Sequence, residues 1–274
     1  MWSFNMMIDA LLDLALRPFH LGPPLVPLSL FAVLSGLVML MIFRYTSNQL
    51  AMKQAKNHIK AHLLELRLFK DDLAVIMTAQ KQILLSNLVY LKHVSKPIVI
   101  MIIPMALLLI HLDAWFGFRP LQPGEAALVT VQVADPTVGT LEQITLQAES
   151  GLAVETPPLR IPAAREVTWR IRAHEVGSHT LRVQVSDRTV PKAVEIANGL
   201  VRLSPYKVRS SFWPTVLRPG EPPIPKDAGV SSVAVHYPVR FIPILGWQTH
   251  WLVVFFILSI ACGYVFKGWM GVEL

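Results

Sequence analysis

The stretch MLMIFRYTSNQLAMKQAKNHIKAHLLELRLFKDD, Met39 to Asp72, holds the side chains whose chemistry most needs explaining. An apolar run ends on the guanidinium of Arg44, and four polar residues, Thr46, Ser47, Asn48 and Gln49, follow. A permanent cation at the end of an apolar run is ordinarily a snorkelling anchor and a topology signal. Further on, His58 and His62 stand four apart, a spacing that brings two imidazoles to one helix face, where they could share a metal ion. The ammonium groups of Lys56 and Lys60 beside them disfavour a bound cation, so no metal and no other cofactor is expected. The nine histidines are scattered, His174, His179 and His236 form no constellation, and no nucleophile elbow, phosphate loop or zinc helix motif occurs. The chain is therefore read as a non-enzyme. Cys262 is the sole cysteine, which excludes an intramolecular disulfide.

The elements that carry these residues read as membrane helices. Of 274 residues, 53% are hydrophobic and only 16% charged, against about 25% charged in a typical soluble domain. Three runs stand out. Gly22 to Phe43 and Pro97 to Ile110 carry no charged residue, and Phe241 to Phe266 carries none unless His250 is protonated. A bilayer core of about 30 Å asks for roughly 17–25 apolar residues. Spans are expected over 23–43, 97–115 and 246–267. The second is the shortest and contains Pro104, so a buried soluble helix is its alternative.

Residues 1–22 do not read as a signal peptide, because Asp9 and Asp13 fall where its apolar core would be. Asn5, Asp9, Asp13 and Arg17 recur every four residues on one face, and Met6, Met7, Leu11, Leu12 and Leu14 cover much of the rest, with Trp2 at the end. That pattern suits a helix lying in the membrane surface. Between Arg44 and Lys96 there are nine Lys/Arg and three Asp/Glu, so the positive-inside rule puts this segment in the cytoplasm. The N-terminus and the region between the second and third spans then lie outside, and the C-terminus inside. Trp115, Trp247 and Trp251 stand near span ends, where interface anchors belong.

Segment 44–96 lacks Gly and Pro, and its Leu, Ile, Met and Phe residues recur every three or four positions. It reads as a coiled-coil-like helical hairpin turning at Asp71-Asp72; one long bent helix docked on a partner is the alternative. From Ala126 the period changes to two. EVTWRIRA and GSHTLRVQV alternate cleanly, and turn-rich text such as ADPTVGT separates the runs. An all-β sandwich resembling immunoglobulin-like domains, without their disulfide, is expected over 120–210. A Pro-rich extended connection is expected over 211–245. The fold class is thus a membrane α-helical part, three spans with a cytoplasmic hairpin, plus an all-β domain. The net charge of +7 is spread along the chain, so nucleic acid is not an expected partner.

The order of amphipathic helix, span ending in Arg, cytoplasmic hairpin, and two further spans resembles the YidC/Oxa/Alb membrane insertase superfamily, in its reduced three-span form. FRYTSNQLAMKQAK is similar to that family's first-span end, an Arg followed by a Lys-Gln pair, here Arg44 and Lys53-Gln54. The resemblance covers roughly residues 5–115 and 245–270. It implies a polar groove in which Arg44 attracts acidic or polar stretches of a client chain, without covalent chemistry. Thr46, Ser47, Asn48 and Gln49 would help wet that groove. Met39, Met41, Met101 and Met105 would form an adaptable apolar slide, with plain lipid or core packing as the alternative. The β domain departs from the family pattern. The expected partners are the lipid bilayer and either membrane-protein clients or, in the alternative reading as an assembly subunit, fixed subunits of a membrane complex. The location implied is a bacterial inner membrane.

Overall fold

The computed structural model describes residues 2–20, 22–69, 71–134, 141–185, 188–244 and 246–272. Most of the turn expected in ADPTVGT, from residue 135 to 140, lies outside them, as does the side chain of Trp2. The chain divides into two compact units, Met1–Leu28 with Leu108–Trp251, and Ser29–Leu107 with Leu252–Leu274.

The helices are α1 (Trp2–Leu16), α2 (Leu25–Thr46), α3 (Gln49–Leu68), α4 (Leu73–Phe116), α5 (Phe212–Leu217) and α6 (Trp251–Phe266). A 3-10 turn over Arg17–Phe19, with a proline in its first turn, ends α1. Asn48 caps α3, its side chain accepting from the Ala51 amide at 3.0 Å. Asp72 caps α4 by accepting from Ala74 and Val75 at 3.0 and 3.2 Å. α4 runs for 44 residues through Pro97 and Pro104. Among the described residues, α2 and α4 are long and apolar enough to cross a membrane.

Three expectations need correction here. The third span is expected over 246–267, but its helix α6 begins only at Trp251 and has 16 residues, about 24 Å of helix. The residues before it form a hairpin of β10 (Phe241–Ile244) and β11 (Trp247–His250). Aromatic and branched side chains serve a strand as readily as an apolar helix, so hydropathy did not separate the two. Secondly, Trp115 and Trp251 are buried at 2% and 1% exposure. Trp115 meets His20 edge-on and Trp251 stacks near Phe116, so they are packing residues, while Trp247 is exposed. Thirdly, the segment 211–245 is not simply an extended connection. It contains α5 and the strand β9 (Val230–Val235), which pairs along β1 (Ala126–Val133).

The remaining strands are β2 (Ile144–Ala148), β3 (Leu152–Val154), β4 (Leu159–Ile161), β5 (Glu166–Ala173), β6 (Gly177–Val185), β7 (Arg188–Ile196) and β8 (Tyr206–Val208). They form two antiparallel sheets, one ordered β3-β5-β1-β9-β8 with β4 also on β5, the other β2-β6-β7. The inner faces share one core. Val167, Trp169 and Ile171 of β5 meet Leu181 and Val183 of β6 in a single apolar cluster, as period-two alternation requires.

The second unit holds the helical hairpin. Lys56 of α3 lies 5.7 Å from the Tyr90 ring of α4, and Met52 shares a core with Tyr90 and Val94. These pairings descend one chain while ascending the other, so the arms are antiparallel about the turn between Phe69 and Asp72.

Candidate functional site

α2, α4 and α6 line an apolar groove of about 640 Å³ in the second unit. α2 contributes Gly36, Met39, Leu40 and Phe43, and α4 contributes Ile98, Met101 and Met105. α6 supplies Phe256, Ser259, Ile260, Gly263 and Tyr264. The Ser259 hydroxyl is turned onto its own helix, donating to the Phe256 carbonyl at 3.1 Å. The wall therefore offers flexible thioethers and few polar groups, a surface that can adapt to varied apolar shapes. The close approach of α2 to α6 depends on Gly36. A Cβ there would lie 2.7 Å from the Ser259 carbonyl oxygen, while Cys262 Sγ donates to the Val33 carbonyl at 3.6 Å.

Three of the four methionines read as a slide thus share this groove. Met41 does not, since it is 50% exposed on another face of α2. Arg44 follows Phe43 by one residue, is exposed, and is not among the lining residues. The polar residues after it serve the α2–α3 junction. Thr46 and Ser47 hydroxyls donate to the Ile42 and Phe43 carbonyls at 2.7 and 2.6 Å. Gln49 donates to Ser47, and Asn48 is the α3 cap. These bonds close the open end of α2, so the structure engages this run in backbone capping. Lys53 and Gln54 are exposed on α3, and His62 bonds Glu65 at 2.8 Å.

A second constellation, in the other unit, was not foreseen. Asp9 on α1 is 4% exposed and holds two cationic or donor groups at once, His111 Nδ1 at 2.8 Å and Arg202 at 2.9 Å. Asn5, one turn earlier and 1% exposed, donates to the Thr215 carbonyl at 2.8 Å. Arg202 also lies 3.6 Å from Asp13. Burial pushes the Asp13 carboxyl above the usual range; Arg202 opposes the shift and the Asp9 charge adds to it. The four-residue spacing of Asn5, Asp9 and Asp13 marked a polar face. Its partners sit more than a hundred residues away and carry no local signal. The face turns into the protein, and Met6, Met7, Leu11 and Leu14 turn out, each at least 52% exposed.

No protein-family model, curated protein or solved structure matches this chain.

Proposed function

We propose that this chain is a membrane insertase or chaperone of the YidC/Oxa/Alb type, in a three-span form, with an immunoglobulin-like domain on the outer side of a bacterial inner membrane. The observation that carries the reading is the methionine-lined groove between α2, α4 and α6. An apolar client segment lies against those thioethers. Arg44, at the end of α2, draws acidic or polar residues of the client toward the cytoplasmic side. A 16-residue α6 suits a locally thinned bilayer, because a helix shorter than the hydrocarbon core is accommodated by thinning. Thinning lowers the barrier to passing a polar segment, whose cost at the bilayer centre is about 2.5 kcal/mol or more per charged residue. The test is insertion into reconstituted vesicles of a client with a charged translocated tail. Arg44→Ala slows insertion, and a photo-crosslinker at Met101 captures the client. Unchanged insertion together with no crosslink rejects the reading.

A second reading, an assembly subunit of a larger membrane complex, is favoured by the hairpin. Leu64, Leu68, Leu73, Leu84 and Leu88 are each at least 57% exposed along it, a greasy surface that a fixed partner would cover. That reading requires stoichiometric co-purification in mild detergent, and recovery of the chain alone counts against it.

A further inference from the structure

The short helix α5 has an arrangement that packing alone does not explain. Its sequence is FWPTVL, and Phe212, Trp213 and Leu217 are 53%, 68% and 54% exposed. It is held in place from two sides. The Asn5 side chain on α1 donates to the carbonyl of Thr215, itself buried within α5. At the other end, Leu217 and Arg218 share a small pocket with Ile110, Asp113 and Ala114 of α4. The Leu203 amide donates to the Ala114 carbonyl at 2.7 Å, which ties the start of the same segment to the same turn of α4. So α5 is fixed beside the last two turns of α4, with its aromatic side chains facing out.

A groove of about 420 Å³ runs along α5. One wall is apolar, from Trp213, Pro214 and Leu217; the other carries Arg209 and Arg218, and no acid lines it. Arg218 lies over the Tyr206 ring at 4.1 Å and Arg209 donates to the Lys226 carbonyl. Both guanidinium groups are therefore pre-positioned. Next to α5, α1 presents Met6, Met7, Leu11 and Leu14 outward. It is followed after only eight residues by α2, a reach of at most about 28 Å.

We infer that α5 is a membrane-surface anchor for an anionic bilayer, with Phe212 and Trp213 in the interface and Arg209 and Arg218 on lipid phosphates. The Trp213 indole, an apolar ring with one N–H, favours the headgroup level, the Phe212 ring adds apolar area beside it, and arginine forks suit phosphate oxygens. The occupant is lipid rather than a protein because of position. The exposed rings sit at the outer end of a helix long enough to cross the bilayer, beside a second helix whose apolar face also points outward. The inference rests on the reading that α4 crosses the membrane, but not on insertase activity.

The experiment uses the full chain in nanodiscs rich in phosphatidylglycerol, on a Cys262→Ser background. Nitroxides are placed singly at Phe212→Cys, at Ile103→Cys on the exposed flank of α4, and at Glu175→Cys in the exposed connection between β5 and β6. Relaxation by oxygen and by a water-soluble nickel chelate reads depth. At 212 the oxygen-to-nickel ratio should be several-fold above that at 175 and below that at 103. It should fall toward the value at 175 when Arg209→Gln and Arg218→Gln are combined, or in zwitterionic lipid. A ratio at 212 equal to that at 175, with 103 lipid-buried, overturns the anchor alone. Shielding of 212 from both reagents also overturns it, because protein then covers the helix. An aqueous signal at 103 overturns the membrane reading beneath it.

Discussion

Asp9 and His111 are 102 residues apart in sequence and meet at 2.8 Å with both side chains buried. Arg202 reaches the other carboxylate oxygen at 2.9 Å, so the carboxylate is an acceptor and His111 Nδ1–H is the donor. One side chain thereby joins α1, α4 and the segment after β7.

Removing the shared member strands the others. Asp9→Ala takes the main partner from Arg202, which is partly exposed and keeps Asp13 at 3.6 Å, and leaves the buried His111 donor unpaired, a loss of about 1–3 kcal/mol. Asp9→Asn keeps an acceptor and should lose less. Thermal unfolding in detergent, with protease sensitivity of α1 as a second readout, should rank the variants Asp9→Ala, Asp9→Asn and parent in rising order.

Substitution at Gly36 should separate α2 from α6. Gly36→Leu puts branched carbon where Ser259 backbone already stands, and overpacking of this kind typically destabilises by about 1–3 kcal/mol. Cys262 is 7% exposed at the same crossing. Its thiol should react faster with a maleimide in Gly36→Leu than in the parent chain, and an unchanged rate would contradict the crossing.

Glu221 clamps the Pro-rich segment onto the β domain. It pairs with Lys192, whose ammonium also donates to the Ser204 carbonyl, and it lies 3.5 Å from Lys207. Burial pulls Lys192 below the usual lysine range, with Glu221 opposing the shift. Glu221→Ala leaves that ammonium without its carboxylate and should destabilise by about 3–5 kcal/mol. Lys192→Met paired with Glu221→Gln removes the Lys192 charge as well and should recover part of that loss, while Lys207, also buried, stays without its carboxylate. Denaturant unfolding of the two variants separates these outcomes.

Arg119 and Glu125 form a two-point ion pair at 2.7 and 2.8 Å. The Arg119 hydrogen bonds hold the Glu125 carboxyl below the usual carboxylate range, with the Gln122 amide helping. A depressed acid stabilises the fold while it is ionised. Its contribution is full above the ordinary glutamate value, about pH 4.3, and is lost as pH falls through the depressed one. Glu125→Gln should therefore flatten the acid limb of stability against pH, and should leave the slope near neutral pH as it was.

Local periodicity was enough to read α2, the arms of the hairpin, and the alternation of β5 and β6, because each depends on neighbours three, four or two residues away. It failed where the deciding partner is distant. β9 looks like part of a proline-rich linker until its pairing with β1 is known. The β10–β11 hairpin carries no Asp, Glu, Lys or Arg, so it merges with the charge-poor helix that follows it. Met39, Met101 and Met105 are legible as one apolar surface, whereas the polar run after Arg44 gives no hint in the sequence that its side chains bond the adjoining helix ends. His111 and Arg202 could not have been linked to Asp9 from spacing at all.

The two prolines inside α4 give the groove walls unequal stiffness. Pro97 and Pro104 have no amide hydrogen, so the carbonyls of His93 and Ile100 lose their usual donors. Those missing rungs bracket Met101 on one wall, while at the opposite contact the Gly36 and Ser259 backbones lie too close to admit a Cβ. The cleft thus resembles a vice in construction, one jaw set by backbone in contact with backbone and the other, α4, short of two rungs of its ladder.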